Sequence, residues 1–124
     1  MAALLRDVGL LALGEAAPET LCGMYSGKER CPATSIERTT LGTGHGEIGA
    51  WVLGVWGLPI DIVEAVANHH TPERIVAAEM TVAAAVYIAG ALVDGEAPDE
   101  TLIQRMGLTA ALPEWRALAK TVRR

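Results

Sequence analysis

The spacing of apolar residues along the chain is that of α-helices. No segment keeps the alternation of apolar and polar residues that a half-buried strand would need, so we expect an all-α fold. Prolines, glycines and capping residues mark the helix ends, and Ser35 is the predicted cap of the second helix. Helices are predicted at residues 2–15, 35–41, about 44–56, 59–70, 71–93, 99–106 and from about 113 onward, with a loop or short helical turns at residues 22–32.

The clearest apolar stripe lies on the third predicted helix, which begins at Thr43 or Gly44 and ends at the turn formed by residues 57–59. Five large apolar side chains recur there at helical intervals, and we expect this face, with both tryptophans, to enter the core. On the next helix a second stripe is expected to be buried, with two histidines at its border. The stripes consist of Ile48, Trp51, Val52, Val55 and Trp56, and of Ile62, Val63 and Val66.

Residues 75–93 form an apolar run that could be taken for a membrane-spanning helix. They carry a single charge, on Glu79, and approach the length of a bilayer crossing. Much of the run is alanine, which contributes little apolar area, and Thr81 and Gly90 interrupt it. A helix buried in a soluble bundle therefore explains this segment better than a membrane helix.

Length and charge restrict the classes of function. The 124 residues fit a single domain, and an apolar fraction of 51% is sufficient for a compact core. The net charge of −5 would repel a polyphosphate, so no nucleic-acid partner is expected. A basic cluster near the C-terminus is interpreted as favouring a helix end rather than as a binding patch. It consists of Arg116, Lys120, Arg123 and Arg124.

The cysteines and the N-terminus indicate the compartment. Cys22 and Cys31 lack the short spacing of zinc or redox motifs, so free thiols are expected. Arg6 and Asp7 fall inside what would be the apolar region of a signal peptide. We therefore expect a cytoplasmic protein.

The three histidines of the chain, His45, His69 and His70, are all predicted at helix ends. A single histidine on an apolar face is most often a core residue with one hydrogen bond, and the sequence leaves that alternative open. Three imidazoles gathered with a carboxylate would instead form the donor set of a divalent-metal site.

Four segments carry a resemblance to a known family. They are Leu-Leu-Arg-Asp-Val-Gly at residues 4–9, Leu-Gly-Thr-Gly-His-Gly-Glu-Ile-Gly-Ala at residues 41–50, Trp-Gly-Leu-Pro at residues 56–59 and His-His-Thr-Pro at residues 69–72. In order and spacing they resemble the C-terminal part of an HDOD domain, a helical signalling module related to the HD metal-dependent phosphohydrolases, and the similarity extends to about Val93. The resemblance implies an HD-like multi-helix bundle in which residues 1–124 form one domain without the family's N-terminal helices.

The resemblance also implies a site. In HD phosphohydrolases a His-Asp pair, a histidine on a later helix and a late aspartate hold a divalent metal that activates water against a phosphoester. This chain has Arg6 in place of the pair's histidine and Gly90 in place of the late aspartate. Arginine has no lone pair for a metal, and its charge repels one, so we expect neither catalytic residues nor a cofactor. The expected remnant pocket consists of Arg6, Asp7, His45, His69 and His70.

Alternatives remain open inside that pocket. Arg6 either neutralises Asp7 and donates hydrogen bonds, taking over part of the metal's role, or points to solvent. The alternative to a metal-free pocket is a weakly bound divalent metal, with Asp94 on a nearby helix face. Its ligands would come from Asp7, His45, His69 and His70.

The function implied by the resemblance is a non-catalytic output module of a bacterial signal-transduction protein. Such a module would act through protein partners, including a receiver domain in the full-length protein, or through a small ligand. The alternative is a metal-dependent phosphohydrolase acting on a nucleotide or cyclic dinucleotide, and a third interpretation is a pocket that binds a phosphorylated ligand without turnover. Because missing helices would uncover apolar faces, self-association as a homodimer is also expected.

Overall fold

The computed structural model describes residues 1–26 and 34–122, which form a bundle of helices joined by short turns. Strands are absent from that part of the chain, and the all-α prediction is confirmed. The helices are α1 (Ala2–Leu5), α2 (Val8–Ala16), α3 (Pro18–Met24), α4 (Thr34–Leu41), α5 (His45–Val55), α6 (Ile60–Asn68), α7 (Val82–Asp94), α8 (Glu100–Arg105) and α9 (Leu112–Val122). Helix α5 packs against both α2 and α6, and α7 packs against both α6 and α9.

The first predicted helix, residues 2–15, is interrupted in the structure. Helix α1 ends before Arg6, and Asp7 occupies the N-cap position of α2 with φ −101° and ψ 12°. Aspartate is disfavoured inside helices and favoured at their N-caps, so the interruption occurs at the residue that tolerates it best. The prediction of one continuous helix was therefore wrong, and the break turns the Asp7 carboxylate toward α5.

Helix α3 begins at Pro18 and extends into the segment that was predicted as a loop or short helical turns. Proline suits the first turn of a helix, and α3 continues to Met24, so residues 22–24, which were predicted as a loop or short helical turns, form the end of a short helix. Residues 27–32 of that predicted segment, which include Cys31, lie outside the described residues. Cys22 is exposed and free, as expected.

Two helix starts differ from the prediction by one residue. Ser35 was expected to cap α4, but α4 already includes Thr34, so Ser35 lies in its first turn. Pro59 was expected to be the first residue of α6 and is its N-cap instead. The capping residue of α5 is Gly44, one of the two predicted.

The main correction concerns which face of α5 is buried. Trp51 and Trp56 are 72% and 67% exposed, and Val55 is also exposed, so the prediction that these side chains enter the core was wrong. Larger side chains would not fit at Gly46 and Gly49 on the buried side, because α2 and α6 approach the α5 backbone closely at these two positions. The buried residues of α5 are His45, Gly46, Gly49, Ala50 and Leu53, while Ile48 and Val52 are partly buried.

The helix predicted at residues 71–93 forms only in its second half. A 3-10 turn at Pro72–Arg74 and an irregular stretch at residues 75–81 precede α7. Thr81, not Thr71, caps α7, since its hydroxyl accepts a backbone N–H of the first turn at 3.2 Å. Threonine competes well for such a position, which explains why the apolar run does not continue as one helix.

The end of α7 agrees with the prediction. Gly95 terminates the helix in the left-handed conformation, with φ 89°. No helix within the described ranges is long and apolar enough to cross a bilayer. Helix α7 instead forms a core with α8 and α9, made by Ile88, Leu92, Ile103 and Ala119.

The last two helices begin near their predicted positions. Asp99 caps α8, and its carboxylate accepts the Leu102 backbone N–H at 2.8 Å. Helix α9 begins at Leu112, one residue before the predicted start. Of the basic cluster, Arg116 and Lys120 lie on α9, whereas residues 123–124 lie outside the described ranges.

Candidate functional site

The fold brings one carboxylate and three imidazoles together from distant parts of the sequence. Asp7 lies at the break before α2, His45 is the first residue of α5, and His69 and His70 follow α6. One ligand atom from each lies within 4.8 Å of the others. Four of the five residues assigned to the pocket from sequence are thus neighbours.

Two glycines allow this convergence. A Cβ on Gly9 would overlap the carbonyl oxygen of His45, and a Cβ on Gly46 would lie 2.9 Å from the carbonyl oxygen of Val66 and 3.3 Å from Cε1 of His69. Backbone atoms cannot yield to such contacts as a flexible side chain can. Helices α2 and α6 therefore approach the start of α5 only because these positions lack a side chain.

Three acceptor atoms form a triangle at the centre of the pocket. Nε2 of His45 lies 3.1 Å from Nε2 of His69, and Oδ1 of Asp7 lies 3.4 Å from each of them. Both imidazoles are buried, whereas Asp7 is partly exposed. We call these three atoms the acceptor triangle.

The other nitrogen of each buried ring is already hydrogen bonded. Nδ1 of His69 donates to the carbonyl oxygen of Val66 at 2.7 Å. Nδ1 of His45 faces both carboxylate oxygens of Glu37, at 2.7 and 2.8 Å, and Glu37 also accepts the backbone N–H of His45 at 2.8 Å. A neutral ring that donates through Nδ1 carries a lone pair on Nε2, so with both rings neutral the two Nε2 lone pairs would face each other, whereas a ring that also carries a proton on Nε2 can donate it to Oδ1 of Asp7.

Glu37 was missed by the sequence analysis. Its side chain is completely buried, although it lies on the short polar helix α4, where a glutamate is expected to face solvent. Its distance of eight residues from His45 matches no motif. A carboxylate or carbonyl behind each histidine is nevertheless the arrangement that fixes the orientation of metal-ligating rings.

The acceptor triangle requires a positive charge. Burial lowers the pKa of His45, but the hydrogen bond to Asp7 and the charge of Glu37 outweigh burial and raise the pKa above its usual value. Hydrogen bonds from His45 and His69 hold the pKa of Asp7 well below its ordinary range. A proton on His45 or a divalent cation would each satisfy the triangle.

His70 stands on the exposed side of the pocket. Its ring centroid lies 4.1 Å from that of His69 and 5.1 Å from that of His45. Partial removal from water lowers the pKa of His70 to about 4, and charge on the two neighbouring rings adds to this effect. His70 is therefore a neutral imidazole at pH 7, the form that can ligate a metal.

Arg6 approaches the Asp7 carboxylate from the side opposite the histidines. Its Nε donates to Oδ2 of Asp7 at 3.1 Å, and its Nη2 lies 3.6 Å from Oδ2 of Asp94. The side chain is only 24% exposed, and a Cβ on Gly90 would overlap its Nη1. The three positions singled out from sequence, at 6, 90 and 94, thus meet at one edge of the pocket.

Glu47 connects the elements around the pocket. Its Oε1 accepts hydrogen bonds from Arg38 at 2.9 Å and from Arg74 at 3.0 Å, and its Oε2 accepts one from Thr43 at 2.7 Å. These contacts, led by the one with Thr43, lower the pKa of Glu47 to about 2. The glutamate of the His-Gly-Glu segment therefore joins α4, α5 and the turn after α6.

Comparison with known families decides the family of the chain. The sequence model described as HDOD domain matches residues 1–72, which is more than half of the 124 residues. The chain belongs to the HDOD domain family. The resemblance carried by the four motif segments is thereby confirmed, although the match ends at residue 72 rather than near Val93. No curated protein and no solved structure matches the chain significantly.

The family gives this HDOD domain a coarse functional class, that of a signalling-related HD-like module. The matched range includes Arg6, Asp7, His45, His69 and His70, whereas Gly90 and Asp94 lie beyond it. The family match therefore assigns nothing to Gly90 and Asp94, and their connection to the pocket is their contact with Arg6.

The donor set of this HDOD domain fits one divalent cation in geometry. Ligand atoms that share a metal at bonds of about 2.1 Å lie roughly 3 to 3.4 Å apart, a spacing that the acceptor triangle has. Asp7, His45 and His69, with His70 at the edge, are the residues that would hold it. The charge of Arg6 beside Asp7 opposes such binding, so geometry and electrostatics act against each other.

Proposed function

We propose that this HDOD domain is a non-catalytic module of a bacterial, cytoplasmic signal-transduction protein, acting through other proteins or a small ligand. The observation that carries the proposal is the contact of Arg6 with the Asp7 carboxylate. Asp7 is the single carboxylate in the candidate ligand set of the described residues, so it would have to balance most of a metal's charge. Because Arg6 already neutralises it, the site is poorly suited to a tightly held catalytic metal.

A hydrolysis assay tests the proposal. Protein purified without chelator would be analysed for metal content and incubated with bis(4-nitrophenyl) phosphate and with a cyclic dinucleotide, each with added Mn²⁺ or Zn²⁺. We expect less than one metal per chain and no turnover above that of the Asp7→Asn variant. Metal-dependent turnover that disappears in Asp7→Asn would overturn the non-catalytic assignment.

The acceptor triangle favours a second candidate, a metal-dependent phosphohydrolase acting on a nucleotide or cyclic dinucleotide. A bound divalent metal would supply a Lewis acid that activates water. The chain's own part would be to hold the ion through Asp7, His45 and His69 and to orient both rings through Glu37 and the Val66 carbonyl. Stoichiometric metal together with turnover in the same assay would select this candidate.

Binding of a phosphorylated ligand without turnover belongs to the first proposal. Arg6 and the histidines are the donors that such a ligand would meet. Thermal unfolding in the presence of nucleotides detects it, since a ligand that binds only the folded state raises the midpoint. No shift with any nucleotide would leave protein partners as the route of signalling.

A further inference from the structure

We propose that Arg6 is an internal cation that weakens metal binding at the acceptor triangle, and that Gly90 provides the space that keeps it there. The inference rests on the same Arg6–Asp7 contact as the proposed function and deepens it, since it concerns the affinity of the pocket for an ion rather than turnover. Two observations support it: Arg6 contacts the Asp7 carboxylate that an ion would also bind, and Gly90 of α7 lies against the Arg6 guanidinium.

The shared carboxylate is that of Asp7. Its Oδ2 accepts a hydrogen bond from Nε of Arg6 at 3.1 Å, while its Oδ1 lies 3.4 Å from each Nε2 of the histidine pair. An ion in the triangle and the guanidinium would thus bind the two oxygens of a single carboxyl group. Two positive charges at that separation repel each other, and the burial of both imidazoles limits screening by salt.

Gly90 lies where α7 passes the guanidinium. Glycine is costly inside a helix, and the other residues of α7 near this position are alanine or larger. A Cβ at position 90 would overlap Nη1 of Arg6, and Asp94, one turn further along the same face, lies 3.6 Å from Nη2. Helix α7 therefore offers both a gap and a carboxylate to the same side chain.

Two variants separate charge from position. Arg6→Met removes the charge and keeps a long side chain. Gly90→Ala keeps the net charge of the protein and displaces the guanidinium, which is the flexible end of its side chain and can move at little cost to the fold. Arg116→Met is the matched control, since Arg116 is exposed on α9 and its replacement changes the net charge by the same amount.

Calorimetric titration of the metal-free proteins with Zn²⁺ and with Mn²⁺ at pH 7 measures the effect. We expect the affinity for Zn²⁺ to rise about tenfold or more in Arg6→Met, since groups beside a metal site commonly change affinity by that factor. Gly90→Ala should give a smaller rise in the same direction. The Arg116→Met control should stay within about twofold of the wild type, because a distant exposed charge is screened.

The outcomes decide each part of the inference. Equal affinities of the wild type and Arg6→Met would overturn it, as would an equal rise in Arg116→Met, which would reflect net charge alone. A rise in Arg6→Met without any in Gly90→Ala would overturn the role of Gly90. Adding His45→Ala to Arg6→Met should abolish the gain and so locate it in the triangle. Because the readout is binding, a negative result leaves the hydrolysis test unaffected.

Discussion

The two faces of α5 differ in a way that the hydrophobic pattern does not predict. The inner face, which contacts α2 and α6, consists mainly of small residues and carries His45, whereas the outer face carries Trp51, Val55 and Trp56 in solvent. Hydrophobic area therefore does not decide which side of this helix is buried. The close approach of neighbouring backbones decides it, and that approach is what brings the imidazoles together.

The inner face of α5 is specified by the absence of side chains at two glycines. Gly9 of α2 lies against the carbonyl of His45, and Gly46 of α5 lies against the carbonyl of Val66. On the outer face, a Cβ on Gly54 would meet nothing within 4 Å. The same residue type is thus essential for packing on one face and merely permitted on the other.

The largest effect is expected from Glu37→Gln, which alters the buried partner of the inner-face residue His45. The Glu37 carboxylate accepts two hydrogen bonds from His45, one from the backbone N–H and one from Nδ1. The glutamine amide has only one acceptor oxygen, so its NH₂ group would face the second donor. We expect the free energy of unfolding to fall by about 3 kcal/mol, since a buried donor of His45 that the carboxylate accepts would be left without an acceptor. Urea denaturation measures the change.

The control for this variant is Glu114→Gln, at an exposed position in the first turn of α9. It should change the unfolding free energy by no more than about 0.5 kcal/mol. Similar losses in both variants would show that Glu37 is no more important than a surface glutamate.

Smaller changes in stability are expected when a glycine of α5 is replaced by alanine, and they should have opposite signs on the two faces. Gly46→Ala places a Cβ 2.9 Å from a backbone oxygen of α6 and should destabilise the protein by about 2 kcal/mol. Gly54→Ala meets no atom within 4 Å and should stabilise it by roughly 0.5 to 1 kcal/mol through helix propensity. Denaturation midpoints of the two variants measure this, and changes of the same sign would remove the distinction between the faces.

Much of the fold could be predicted from sequence, because helix ends depend on local residues. Gly95 and Asp99 act through φ preference and capping, and both predictions agree with the structure. The break at Arg6 and Asp7 and the irregular residues 75–81 were not predicted, because the apolar pattern was extended across Asp7 and Thr81, which cap the helices that follow them. The exposed tryptophans were assigned to the core because periodicity locates a stripe without saying what covers it.

The site could be predicted in part. Asp7 and the three histidines were grouped through the motif segments, and the structure places them together. Glu37 could not be found, because its burial depends on how α4 packs over the start of α5, which no local pattern encodes. The contact between Arg6 and Gly90 was likewise a matter of tertiary structure, although both positions had been singled out.

The smallest effect on stability is expected on the outer face. Replacing Trp51 and Trp56 together by glutamine removes apolar area that is already largely in water, so the unfolding free energy should change by less than about 1 kcal/mol.

Exposed aromatic side chains of this kind are enriched in protein interfaces, and we expect the protein to self-associate through this face. Sedimentation velocity over a dilution series should show a dimer for the wild type and a monomer for the double variant.

The matched control replaces Leu118 and Val122, which are similarly exposed on α9, by glutamine. It removes apolar surface elsewhere and should leave the dimer intact. A wild type that stays monomeric at every concentration, or equal dissociation in both double variants, would show that the outer face of α5 is no specific interface. Retention of the dimer in the control alone would mean that the two faces of α5 have different roles. The inner face would assemble the pocket, and the outer face would join two copies of the chain.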